Sequence, residues 1–210
     1  MCARYELLAS VKELKDYLGL SQEITFPLPQ KEIFPSESAL VLTPSPNMME
    51  LTIMNWGFSF LKEKKRSLVF NIRVESFSQK PYFQKLAYQN RCVVPATAFF
   101  EWQKKGIKGL KWSFTPQDGK FLFFAAIYRK ANPLEFAIIT CKAKKPVTDI
   151  HDRMPLLLPK DYVKDYLHFA GSPEELLPFL DKLPVVHIKG HNISRDEFLP
   201  FDRPKFTTRD

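Results

Sequence analysis

The sequence predicts an α+β fold with mainly antiparallel strands, built as one compact domain. Three observations lead there. Apolar segments of strand length crowd the middle of the chain, helical patterns lie toward its ends, and the two do not alternate as βαβ units require. Seventeen prolines against seven glycines, with 19 phenylalanines, point to short strands, rigid loops and an aromatic core. At 210 residues the chain is of one-domain length and buries roughly 70% of its unfolded surface, so folding requires neither disulfides nor a metal.

The elements follow in order. Ser10 and Glu13 form a capping box ahead of Val11, Leu14 and Leu18, which predicts an amphipathic helix ending at Gly19. Residues 24–38 hold Pro27, Pro29 and Pro35 and are expected as an irregular connection. Strands are predicted over Ala39–Thr43, Glu50–Trp56, Ser67–Arg73, Cys92–Pro95, Ala98–Gln103 and Lys111–Thr115. Gln117-Asp118-Gly119 turns the chain into Phe121–Tyr128, and Glu135–Cys141 forms a further strand. Helices are predicted over Pro81–Gln89, Pro159–Phe169 and Pro173–Leu180; proline opens the last two, and Asp161, Glu174 and Glu175 suit their positive ends. Residues after about 190, with Arg195, Arg203, Lys205 and Arg209, are expected as a polar, partly mobile tail.

Composition excludes several classes. With 45% hydrophobic and 26% charged residues the chain is neither disordered nor fibrous. Its longest apolar runs, such as Phe121–Tyr128, fall far short of the ~20 residues of a membrane span. Arg4, Glu6, Lys12 and Glu13 interrupt the apolar stretch a signal peptide needs, so a cytoplasmic protein is expected. Cys2, Cys92 and Cys141 make an odd set without a CxxC, which fits reduced thiols and no zinc knuckle. The formal charge of +8 favours a polyanionic partner.

Four segments carry candidate chemistry, each with a plain alternative. Cys2 becomes the terminal residue if Met1 is removed, placing an α-amine of pKa about 7.7–8.0 beside a thiol. Such a pair converts an aldehyde to an imine and then to a thiazolidine ring, the closure being intramolecular; alternatively Cys2 is a chance second residue. Strand alternation puts Asn71, Arg73 and Glu75 on one face, either as a solvated face or with Arg73 on phosphate, Glu75 orienting it and Asn71 near a reacting centre. Glu101 lies among Phe99, Phe100 and Trp102, where burial would raise its pKa toward neutrality, or else it is an exposed strand glutamate. His151 precedes Asp152, and Pro155 keeps Met154 extended; the pair is either an acid–base site or an ordinary surface pair. His168, His187 and His191 are assigned structural roles.

Taken together, Met1-Cys-Ala-Arg-Tyr5, Asn71-Ile-Arg-Val-Glu75, the run Arg91–Trp102 and Ile150-His-Asp-Arg-Met-Pro155 resemble, in order and spacing, the SOS-response-associated peptidase (SRAP) family. Trp56-Gly57 is similar to a further landmark, and the likeness runs to about Leu158. The resemblance implies a barrel-like, branched antiparallel sheet flanked by helices, and a DNA-damage protein that crosslinks to abasic sites in single-stranded DNA. It implies that Cys2 is the nucleophile in a pocket of Asn71, Glu101 and His151, with Glu101 relaying protons and His151 protonating the sugar ring oxygen. It places Arg4, Arg73 and Arg153 near the DNA backbone and Trp56 among the DNA contacts. No metal, cofactor or membrane partner is implied, and a monomer is expected, nucleoid-associated when bound. The alternatives are a thiol peptidase, including self-removal of Met1 through Cys2, and a non-catalytic single-strand-binding module. The chain departs from the family pattern at Ala3, at Thr97-Ala98, at Phe58-Ser-Phe-Leu61 after the Trp-Gly pair, and around Val185–Ser194, where the usual C-terminal motif is not recognisable.

Overall fold

A computed structural model gives the fold and describes residues 2–46, 48–62, 65–104 and 109–194. In chain order the elements are β1 (Arg4–Leu7), α1 (Val11–Leu18), β2 (Gln30–Ile33), β3 (Ser38–Ser45), β4 (Met48–Trp56), β5 (Phe58–Lys62), β6 (Lys65–Val69) and β7 (Asn71–Arg73). There follow α2 (Pro81–Gln89), β8 (Arg91–Ala96), β9 (Ala98–Trp102), β10 (Lys111–Pro116), β11 (Leu122–Arg129), β12 (Glu135–Lys142), β13 (Arg153–Pro155), α3 (Val163–Leu167), α4 (Pro173–Asp181) and β14 (Ile188–Asn192). The fold is α+β with mostly antiparallel pairing, as the sequence predicts. Among the described residues no helix is long and apolar enough to cross a membrane.

The larger sheet closes partly into a ring, β11–β8–β3–β4–β12 with β12 returning to β11. β12 is its branch point. Its first half pairs with β11 on one side and, parallel, with β4 on the other; its second half pairs with β13 and, parallel, with β7. Because each edge of one strand serves two partners, β7 and β13 splay away from the ring at the same end. A second sheet, β14–β10–β9–β1–β2, packs across the ring. The buried Tyr5, Trp56 and Phe124 hold the two together, with ring centroids 5.1 and 5.8 Å from Tyr5. Phe99 stacks on Phe114 at 5.0 Å in the same core, and burying such rings is the main source of stability.

Helix α1 forms with both halves of its capping box and ends at Gly19 with φ 68°, a left-handed position natural to glycine. Helix α2 matches its predicted bounds. Four expectations are corrected. The stretch Ser67–Arg73 is two strands, because the Phe70 carbonyl accepts the Trp56 indole N–H (2.8 Å) and the Ile138 N–H (3.0 Å), redirecting the chain from β5 to β12. The 24–38 connection contains β2, which pairs with β1. Pro159–Phe169 splits into a 3-10 turn, Lys160–Tyr162, and the short α3. The region after 190 begins inside β14, which pairs with β10; Arg195, Arg203, Lys205 and Arg209 lie outside the described residues.

Candidate functional site

Strand pairing brings the four predicted site residues together. β1 runs antiparallel to β9 with Arg4 opposite Phe100, which carries the residues ahead of Arg4 to the Glu101–Trp102 end of β9, and the Cys2 thiol lies within electrostatic reach of Glu101. β7 and β13 leave β12 at its second half, carrying Asn71 at the start of β7 and His151 just ahead of β13. The Asn71 side-chain N–H donates to the Cys2 carbonyl at 2.6 Å. His151 Nε2 stands 3.9 Å from Glu101 Oε2, both side chains being buried. The Lys104 backbone N–H donates to the Ile150 carbonyl at 3.0 Å and ties the end of β9 to the histidine segment. Residues 2, 71, 101 and 151, distant in sequence, thus share one buried cluster.

The electrostatics of the cluster follow from burial. Desolvation pushes the Glu101 carboxyl up to about 7, so at neutral pH it is divided between acid and base forms. Desolvation, with Lys104 nearby, lowers His151 to about 4, so its ring is neutral. Its Nδ1 accepts the Arg153 N–H at 3.0 Å, which leaves the proton on Nε2, the nitrogen facing Glu101. Asp152 Oδ1 also stands 2.9 Å from Nδ1, but that carboxylate is 75% exposed and a backbone N–H is the obligatory donor, so the Arg153 bond fixes the tautomer. The Cys2 thiol is held far above its usual range, first by burial and then by the Glu101 carboxylate, and its S–H donates to the Arg4 carbonyl at 3.4 Å. Asn71 Oδ1 is buried and, among the described residues, has no hydrogen-bond partner. The arrangement offers a neutral thiol, a carboxyl poised to give or take a proton, an imidazole N–H donor and an amide oxygen still to be satisfied. Among the described residues no group of three or more His, Cys, Asp or Glu is placed to hold a metal ion.

The expected DNA contacts fare differently. Trp56 has no exposed surface; its ring is stacked on Phe136 at 6.4 Å and its N–H is used by Phe70, so its expected role in DNA contact is corrected to a core role. Glu75 does not orient Arg73. Alternation ends at Arg73, residues 74–77 turn into a 3-10 helix, and the Glu75 carboxylate takes both arms of Arg153 at 2.7 and 3.0 Å. Arg153 also donates to the Thr140 carbonyl at 2.6 Å and is largely buried. Arg4 pairs with Glu32 at 3.1 Å and lies between the Phe34 and Trp102 rings, 4.5 and 4.9 Å from their centroids. Arg73 is exposed and, among the described residues, makes no ion pair. Sequence reasoning missed Glu32 and Lys111, which pair beneath Arg4. Lys111 is buried although period two puts it on the face of Ser113 and Thr115, so no local signal announced it.

A partly closed α+β barrel with a buried thiol, amide, carboxyl and imidazole at one end defines the class. The model of the family described as SOS response associated peptidase (SRAP) matches residues 1–196, and the chain belongs to this family. It is 31% identical over 216 residues to the abasic site processing protein YoqW of Bacillus subtilis, covering 92% of each chain. It is 27% identical over 210 residues to the abasic site processing protein YedK of Escherichia coli, covering 93% of each. The fold is similar to a crystal structure of a protein from Bacteroides thetaiotaomicron, with TM-score 0.74, 21% identity and 93% of both chains covered.

Proposed function

We propose that this chain, once Met1 is removed, processes abasic sites by bonding covalently to them in single-stranded DNA through Cys2. The observation that carries the proposal is the Asn71 amide holding the Cys2 carbonyl at 2.6 Å, which fixes residue 2 beside Glu101. The names of the relatives supply the substrate class. In the ring-open sugar the C1′ aldehyde is attacked by the Cys2 α-amine, and loss of one water gives an imine. Glu101, near its midpoint at neutral pH, donates a proton to the departing oxygen and recovers one from the thiol. Loss of that water leaves the imine as its iminium, still carrying one N–H; the sulfur, its proton passed to Glu101, then adds to the iminium carbon, the C=N electron pair returns to nitrogen, and a thiazolidine ring closes with no further atom lost. The neutral His151 serves as an Nε2–H donor to the ring oxygen, with Glu101 as the proton carrier.

The same groups favour self-removal of Met1 as an accompanying reaction. The thiol attacks the Met1 carbonyl with Glu101 taking its proton; the Met1–Cys2 C–N bond breaks as Glu101 returns that proton to the departing Cys2 amine, and water then hydrolyses the thioester, its hydroxyl going to the methionine carbonyl and its proton to the Cys2 sulfur. A Cys2→Ser variant made without an aminopeptidase is expected to keep Met1 by intact mass.

The central test is intact mass after mixing processed protein with an abasic single strand. The expected product is protein plus oligonucleotide less one water, formed without borohydride. It is lost in Cys2→Ala and when any residue remains ahead of Cys2. Absence of the adduct, with equal reversible binding to intact and abasic strands, would establish a non-catalytic binding module instead.

A further inference from the structure

Once Met1 is lost, Cys2 is the end of the chain and is held from one side only. Chain ends fray unless they are tied down, yet Cys2 is wholly buried. Asn71 fixes its carbonyl, and its S–H donates to the carbonyl of Arg4. The second of these bonds places the thiol only as firmly as Arg4 itself is placed.

Arg4 is gripped by side chains from three neighbouring strands. Tyr5 pairs with Ile33, Arg4 with Phe100 and Trp102 with Lys111. Cross-strand partners share a face and neighbours along a strand alternate, so Arg4, Glu32, Phe34, Trp102 and Lys111 gather on one face of the second sheet. There Arg4 Nη1 meets Glu32 Oε2 at 3.1 Å, and the Lys111 ammonium takes the other oxygen of the same carboxylate. The guanidinium lies between the Phe34 and Trp102 rings, and Lys111 Nζ stands 4.6 Å from the centre of the Phe100 ring. This is not a slack surface pair, because the Lys111 side chain is only 4% exposed and a planar guanidinium held between two rings has one orientation.

We infer that Glu32, Lys111 and the two rings form a clamp on Arg4 that positions the terminal aminothiol for reaction. Arg4 is then a positioning residue whose guanidinium is engaged within the protein, and Glu32, shared between two cations, is the centre of the clamp. The inference rests on the reading that Cys2 reacts with the abasic sugar.

Two readouts on processed protein test it, and the first needs no DNA. Alkylation by iodoacetamide is followed at Cys2 and at Cys92, which is buried in β8 and reports global opening of the same molecule. In Glu32→Gln the ratio of the Cys2 rate to the Cys92 rate is expected to rise about tenfold, because the loosening is local. In the second readout, crosslinking to an abasic single strand, the maximal rate is expected to fall about tenfold with the half-saturating strand concentration unchanged. Phe34→Leu, which opens one side of the sandwich and leaves the charges, is expected to move both readouts the same way. Equal acceleration at Cys2 and Cys92 would reduce the clamp to a contribution to overall stability. A raised half-saturating concentration with an unchanged maximal rate would make Arg4 a phosphate contact. Either result overturns the proposal. If the unmodified protein forms no adduct, the reading of Cys2 fails, and the ratio of thiol rates still decides whether the clamp holds residue 2.

Discussion

Asn71 spends one N–H on the carbonyl of Cys2, and this bond ties β7 to the residue proposed to react. Asn71→Asp keeps the shape but removes the donor. Crosslinking is expected to slow by about 10- to 100-fold, because misplacement of a nucleophile costs more in rate than the bond contributes to folding. A rate assay paired with thermal melting checks this, with the melting temperature nearly unchanged. Glu101 makes a prediction of opposite character. Burial raises its pKa to about 7 from 4.5, so the folded state binds its proton more tightly than the unfolded state. Below pH 4.5 both states are protonated and nothing is lost; stability falls as pH rises through the window to 7, and above it the full penalty of about 3 kcal/mol is present. In the chain that retains Met1, Glu101→Gln is expected to melt higher than the unmodified protein at pH 8 and equally at pH 4, as calorimetry can show. All four cluster residues are legible in the sequence as reactive types in a recognisable order, but their closeness is not. It arises from the pairing of β1 with β9 and β7 with β12, long-range contacts that local periodicity does not encode.

At the scale of elements, Arg91 does what no local pattern announces. Opening β8, it donates Nε to the Tyr166 carbonyl (2.8 Å), Nη1 to Ala87 (2.8 Å) and Nη2 to Phe169 (2.7 Å), closing the last turns of α2 and α3 with one side chain. Helix ends leave carbonyls without partners, and a buried guanidinium satisfies several at once. Arg91→Ala leaves them unpaired in a dry site and is expected to cost about 3–5 kcal/mol, lowering the melting temperature by about 10 °C. Arg91→Lys is expected to recover little, because one ammonium cannot reach around both helices. Thermal denaturation of the two variants checks both statements. Helices α1 and α2 were readable because caps, proline and glycine act within a few residues. β2 and β14 were not, since an edge strand with a polar sequence becomes a strand only through its neighbour. Trp56 lies between these cases: β4 buries Met54 with it, two residues apart on one face, so its core position was written in the alternation although its motif pointed to the surface.

For the whole molecule, the net charge of +8 overstates what is available to a nucleic acid. Arg4, Lys111, Arg129 and Arg153 each answer a carboxylate, of Glu32, Glu32, Glu135 and Glu75 respectively. These pairs hold strands at their ends and do not offer a cation for counterion exchange. Arg73 differs: it is exposed, makes no ion pair among the described residues, and follows Asn71 by two positions on β7. Under the proposed function, Arg73 is therefore a cation open to a phosphate of a strand whose sugar reaches Cys2. The two arginines next to the cluster separate in a salt titration of single-strand binding. Arg73→Ala is expected to reduce the slope of log affinity against log salt by about 0.7, the value for one phosphate contact on a single strand, with melting temperature unaltered. Arg153→Ala is expected to lower the melting temperature, because Glu75 and the Thr140 carbonyl lose their partner and the segment carrying His151 loses its brace. A slope that fell equally in both variants would mean that Arg153 leaves Glu75 when DNA arrives. Protein charge would then be rearranged by binding, and the ion pair in the free protein would be the resting form of a phosphate contact.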